Sequence, residues 1–260
     1  MDLKEKTVPR NILWPFVLLT ILFFAWGIPN NLTDTMLAAF KRIMSFSDSK
    51  TAWIQVVCYL LGYGCFAIPG AILIKRYSYK SGVIVGLGLY SIGTFLFLPA
   101  SRIAVSNNSV GYLMFLFAIL VLFAGLSVLE TSANSYVLAI GPEHTATRRL
   151  NLAQSFNPFG AISGVVISQV FILSQLNTKT AAERAAMSDA ELAAIQSGEL
   201  KAITTTYVIL GIIMLFILCL FVATKFPKTT ENDNSLHLKD SFKRLKGNKK
   251  YVWGVAAEFF

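Results

Sequence analysis

Histidine is almost absent from this chain: there are two in 260 residues, His144 and His237, in polar connections far apart in sequence. No imidazole pair is available to hold a metal, and no imidazole base stands beside a nucleophile. Cysteine is nearly as scarce. Cys58, Cys65 and Cys219 all fall within apolar runs, which suits small packing residues better than disulfides or redox centres. No metal-ligand spacing occurs, no cofactor is expected, and a catalytic membrane enzyme is disfavoured. Charge is scarce too. Only 14% of residues are Asp, Glu, Lys or Arg, against 55% hydrophobic, and the mean hydropathy is positive. Such a chain has too little polar surface to face water all round.

What is present is a series of long apolar runs. Lipid offers no partner to a free backbone N–H or C=O, so a run of about 20 residues crosses the hydrocarbon as a helix. Six complete runs are expected, at about 12–39, 51–74, 82–100, 109–139, 151–175 and 202–224. The expected class is an all-α membrane protein, an N-terminal six-helix bundle plus the start of a seventh helix. The corresponding division is residues 1–224 as the transmembrane domain, 225–250 as a cytoplasmic interdomain segment and 251–260 as the start of a truncated seventh span. The N-terminus is not expected to be cleaved, because its apolar run continues through Gly27-Ile28-Pro29-Asn30-Asn31 without a small-x-small site.

Basic residues predict orientation. Sixteen of the 23 fall in the N-terminal arm (Lys4, Lys6, Arg10), the 2–3 loop (Lys75, Arg76, Lys80), the 4–5 loop (Arg148, Arg149) and the segment after run six. The opposite loops hold the other seven. This bias puts the N-terminus in the cytoplasm, explains the net charge of +9 as topology with some attraction to anionic lipid, and argues against nucleic acid as a partner. In the 176–201 connection, Ser188-Asp189-Ala190-Glu191 reads as a capping box opening a short surface helix. In 225–250, Leu238, Phe242 and Leu245 share one helical face and Lys239, Lys243, Lys246 and Lys250 another, as in an interfacial helix.

Gly82 and Gly86, and again Gly160 and Gly164, have the four-residue spacing that lets helix backbones approach. Pro29, Pro69 and Pro158 remove backbone donors and predict kinks. Polar residues recur at helical spacing: Asn30, Asn31 and Asp34 in run one; Gln55, Tyr59 and Tyr63 in run two; Ser127, Glu130, Thr131 and Asn134 in run four; Asn151, Gln154 and Asn157 in run five. Exposing such stripes to lipid costs several kcal/mol per unpaired group, so a shared hydrated cavity is expected. Amides, hydroxyls and tyrosines offer donors and acceptors without net positive charge, which suits a neutral polyol such as a sugar. The two acids, Asp34 and Glu130, have no basic partner in the runs. Desolvation then disfavours their charged form, as proton coupling requires.

Three strings sharpen this reading: Asn30-Asn31-Leu32-Thr33-Asp34, Leu129-Glu130-Thr131-Ser132-Ala133-Asn134, and Arg149-Leu150-Asn151-Leu152-Ala153-Gln154-Ser155-Phe156-Asn157. With Gly141-Pro142-Glu143 and Lys225-Phe226-Pro227, they resemble the fucose-galactose-glucose:proton symporters of the major facilitator superfamily over nearly the whole chain. The superfamily's 2–3 loop signature is only partly kept: Leu73, Arg76 and Lys80 match, while Ala71, Lys75, Ser78 and Tyr79 depart from it. The resemblance implies proton-coupled sugar uptake by alternating access across a bacterial inner membrane, with L-fucose as first candidate and glucose or galactose as alternatives. It makes Asp34 an acid of the sugar cavity and Glu130 the acid that loads and releases the proton, with Asn31, Asn134, Gln154 and Asn157 at cavity positions. It also implies a second six-helix half as partner. Two other readings stand beside it, a non-transporting membrane sensor or structural subunit and a membrane-embedded transferase. The residues leave sodium coupling and the role of Glu258 open.

Overall fold

The structure, a computed structural model, describes residues 7–44, 47–180, 183–184, 186–227 and 238–258. The expectations for Lys4, Lys6 and His237 lie outside the described residues, as do the side chains of Leu238, Lys239, Phe242 and Glu258. Six helices are long and apolar enough to cross a membrane: α1 (Arg10–Ile43), α2 (Ser49–Arg76), α3 (Tyr79–Ser106), α4 (Asn108–Ala139), α5 (Glu143–Gln175) and α6 (Asp189–Ala223). They belong to one compact unit, Met1–Thr229; a second unit covers Thr230–Phe260 and holds α7 (Leu238–Gly247) and α8 (Lys249–Glu258). Lys250 therefore falls past the end of α7. Asn248 accepts from the Lys250 N–H at 3.1 Å and opens α8 instead.

The glycine pairs do set the packing. The most extensive interfaces are α3 on α4, α1 on α5 and α2 on α4. A Cβ added at Gly86 would lie 2.6 Å from the Leu129 backbone nitrogen, and one at Gly160 would strike the Phe24 carbonyl. Only hydrogen fits at either place, so α3 meets α4 and α5 meets α1 backbone to backbone. Around these seams Leu18, Leu19, Leu22, Phe23, Val83 and Leu87 are fully buried. The packing account of the cysteines holds for Cys58, which is buried; Cys65 and Cys219 face outward.

Of the three prolines expected to kink a helix, only Pro158 lies at a break. In α5 the helix is interrupted at Ser155 and Phe156, just before Pro158, and resumes at Asn157. α1 carries Pro29 without interruption. In α2 the ladder changes to π-helical over Val56–Gly64, ahead of Pro69. The capping box at Ser188 forms, with Glu191 closing it, but the helix it opens is not short. It continues as α6 for 35 residues. The stretch from Ala190 to Ala202 holds four Ala, two Glu and two Leu and no proline, and its single glycine, Gly198, does not end the helix.

The two ends of the bundle are tied differently. At the proximal end, where α1 begins, Arg149 is wholly buried rather than a loop charge. Its guanidinium donates to the carbonyls of Val137 at 3.3 Å, Leu138 at 3.0 Å and Pro142 at 2.9 Å. Val137 and Leu138 lie in the last turn of α4, whose carbonyls lack helical partners, so the cation satisfies them and opposes the helix dipole. Lys80 does the same for α6, donating to the carbonyls of Val222 at 3.0 Å and Thr224 at 2.8 Å. At the distal end, Arg184 and Glu199 form a bidentate pair, one arm at 2.9 Å, with the side chains 4% and 2% exposed. The hydrogen bonds to Glu199 hold Arg184 more firmly protonated than a free guanidinium. Glu199 also accepts from the Asn177 N–H at 2.8 Å, Arg42 donates to the Asn177 carbonyl, and Gln196 donates to the Ile43 carbonyl at 2.7 Å. The segment after α5 is thereby strapped to α1 and α6.

Candidate functional site

The predicted polar stripes meet one another across α1, α2, α4 and α5. Their placement follows from the seams just described, because glycine-lined faces turn inward and leave the polar rows to share the remaining faces. Asp34 is exposed, near the distal third of α1, and stands close enough to Tyr59 and Cys58 of α2 to act on them electrostatically. Glu130, half-buried in the proximal third of α4, is within hydrogen-bonding reach of the Tyr63 hydroxyl. Tyr59 and Tyr63 are one turn apart in the π-helical part of α2, and their rings stack with centroids 6.5 Å apart. Phe123 of α4 meets both rings edge-on at 5.8 and 5.7 Å. The two acids are therefore joined through one face of α2 rather than to each other.

Below Glu130, the Gln154 amide of α5 donates to the Asn134 Oδ1 of α4 at 3.1 Å. The ring of contacts closes where the Asn157 amide donates to the Phe23 carbonyl of α1 at 3.2 Å. That bond gives Asn157 a packing task beside its predicted cavity position. The α1 backbone comes close at this level because a Cβ on Gly27 would run into the Asn157 carbonyl. Asn31 is half-buried, and its carbonyl accepts from the Thr35 hydroxyl at 3.2 Å. Asn30 Oδ1 is buried without a hydrogen-bond partner among the described residues. Asn151 is exposed, as are Gln55 and Gln154.

The stripes thus form an open wall rather than an enclosed cavity. The reason is geometric: helices of one bundle present one face, and closing a pocket over that face takes a second surface. The chemistry of the wall is that of a polyol site, with carboxyls, amides and phenols alternating as donors and acceptors and no basic side chain among the named groups. Among the described residues no group of His, Cys, Asp and Glu is arranged to hold a metal ion. Sequence reasoning placed Tyr59 and Tyr63 on a stripe without assigning either to an acid. The signal was present as the four-residue spacing from Gln55 to Tyr59 to Tyr63, but which acid each would meet depends on the helix neighbours.

Comparison with known proteins bears on the fold. Residues 12–260 match the Major Facilitator Superfamily. The chain belongs to that superfamily. It is 38% identical over 264 residues to the L-fucose-proton symporter of Haemophilus influenzae, covering 99% of this chain and 60% of the relative. It is 37% identical to the L-fucose-proton symporter of Escherichia coli, covering 98% of this chain and 58% of the relative. The crystal structure of an alanine variant of the E. coli fucose:proton symporter superposes with a TM-score of 0.82 at 37% identity, over 96% of this chain and 59% of that one. The chain spans about 60% of the length of the curated relatives it matches. Its six apolar helices and its superfamily make it a multi-pass membrane protein.

Proposed function

We propose that this chain supplies the N-terminal helical bundle of a proton-coupled sugar transporter of the bacterial inner membrane, with L-fucose as the first cargo to test. The observation that carries the reading is that Glu130 lies beside Tyr63 of α2 and Asp34 near Tyr59 and Cys58, with no ion pair to a basic residue for either acid among the described residues. A carboxyl in that setting can lose its proton when the site is wet and must regain it before a dry intermediate forms, so sugar and proton move together. Glu130 loads and releases the proton through its contact with Tyr63. Asp34, Asn31, Asn134, Gln154 and Asn157 offer the sugar hydroxyls their partners. A second bundle, covering the open wall from the other side, completes the cavity and rocks against this one. The N-terminus is cytoplasmic, which the excess of basic residues at the proximal connections supports.

The test is addition of L-fucose to lightly buffered, energy-depleted cells expressing the gene that encodes this chain. Transient external alkalinisation is expected, as protons enter with sugar. Uptake of labelled L-fucose without a pH change overturns proton symport, and stimulation by sodium alone replaces the coupling ion. Competition by glucose and galactose ranks the cargo. In the same assay Asp34→Ala abolishes accumulation, whereas Glu130→Gln retains sugar exchange and loses net proton-coupled uptake. Normal accumulation in either variant removes that residue from the scheme.

A further inference from the structure

A second polar site lies away from the stripes, at the distal end between α3 and α6. There a cleft of about 320 Å³ is lined by Leu98, Ser101, Arg102 and Val105 of α3 and by Ser197, Leu200, Lys201, Thr204 and Thr205 of α6. Arg102 and Lys201 have no ion-pair partner among the described residues, and no acidic side chain lines the cleft. The third polar feature is Thr204. It is 4% exposed, and its Oγ1 is buried without a hydrogen-bond partner among the described residues. Two residues further on, the Thr206 hydroxyl is satisfied by the Ala202 carbonyl at 2.9 Å. A buried hydroxyl that leaves its bond unmade, in a cleft it lines, points to an acceptor supplied from outside the chain.

The ligand chemistry follows from the donor set. A guanidinium, an ammonium and a hydroxyl all donate, and no carboxylate is there to accept, so the site suits an anion with several oxygens and not a neutral sugar. Its depth then selects the source. Lys201 is 22 residues from the proximal end of α6 at Ala223, and Arg102 is 23 from the start of α3 at Tyr79. At 1.5 Å per residue both cations stand roughly 33 to 35 Å from the proximal ends, just past a hydrocarbon layer of about 30 Å. That is the level of the phospholipid headgroups. Towards the membrane centre the same helices expose Ile92 on α3 and Ile209, Ile212 and Phe216 on α6, an apolar surface for acyl chains.

We propose that this cleft binds an anionic phospholipid, its phosphate held by Arg102 and Lys201 and by a hydrogen bond from Thr204. The proposal is independent of the sugar reading, because none of its residues belongs to the polar stripes. Native mass spectrometry of the purified chain, with phosphatidylglycerol and phosphatidylcholine added in turn, tests it. Preferential retention of phosphatidylglycerol is expected. In the double variant Arg102→Gln, Lys201→Gln that retention weakens by about twenty-five-fold, at about fivefold per cation near a membrane surface. Thr204→Val, nearly the same shape, weakens it by several-fold. The double variant Lys75→Gln, Arg76→Gln removes the same charge from the proximal end and is expected to change retention less than twofold. Equal retention by the Arg102, Lys201 variant, or an equal loss in the Lys75, Arg76 control, overturns the assignment. Displacement of the lipid by millimolar inorganic phosphate overturns it as well, since the site would then be one for the free ion.

Discussion

Glu199 and Glu130 are both glutamates in long helices, yet their surroundings are opposite. Glu199 sits at the distal end of α6 with a bidentate Arg184 and the Asn177 N–H on its oxygens, and both charged side chains are buried. Glu130 sits in the proximal third of α4 with a tyrosine as its neighbour and no ion pair to a cation among the described residues. A carboxylate with a fixed counter-charge keeps its charge and its place. One with only a neutral donor can exchange its charge for a proton at modest cost. The comparison teaches that the fold separates a carboxylate fixed by a counter-charge, at the end where α1, α5 and α6 are strapped together, from one without it, on the face shared by α1, α2 and α4.

The contrast can be broken most severely at the strap. Glu199→Ala leaves Arg184 buried and unpaired, and about 3–5 kcal/mol of stability should be lost, read as unfolding of the detergent-solubilised protein by titration or heat. Replacing both partners together, Arg184→Met with Glu199→Leu, should recover most of that loss, because an apolar pair of similar volume leaves no stranded charge. A smaller effect is expected at the other glutamate's partner: Tyr63→Phe removes one hydroxyl and should cost about 1 kcal/mol, with the pH dependence of sugar exchange shifted as well. The Asn134 and Gln154 amides should show a coupling of about 0.6 kcal/mol in a double-mutant cycle, the usual size for a hydrogen bond between membrane helices. Smallest of all, Glu130→Gln should change stability by less than about 0.5 kcal/mol while uncoupling uptake from the proton. A stability loss at Glu130→Gln as large as that at Glu199→Ala would make Glu130 a structural acid and remove the contrast.

Much of the fold is legible in the order of residues because membrane helices are specified locally. An apolar run long enough to cross lipid has to be helical, so all six spans are readable. The glycine pairs at 82 and 86 and at 160 and 164 announce tight seams, and the capping box at Ser188 announces a helix start. What could not be read is where a helix continues when nothing stops it, as from Ala190 into α6. Nor could the fate of Arg149 be read. A basic residue in a short loop looks like a surface charge, and only the free carbonyls at the end of α4 make burial possible. The candidate site divides in the same way: the stripes are periodic and visible, but the pairing of Asp34 with Tyr59 and of Glu130 with Tyr63 is not.

Taken alone, the chain's residues determined that it spans a membrane six times, that four spans carry polar rows, and that two acids lie among them without a local cation. Those properties depend on composition and on a 3.6-residue period, which neighbouring residues set by themselves. Tertiary structure decided which rows face each other, which glutamate is locked and which is left with a tyrosine, and that Arg102, Lys201 and Thr204 share one cleft. Such groups are far apart in sequence, and only the close approach of glycine-lined helices brings their side chains within hydrogen-bonding or electrostatic range.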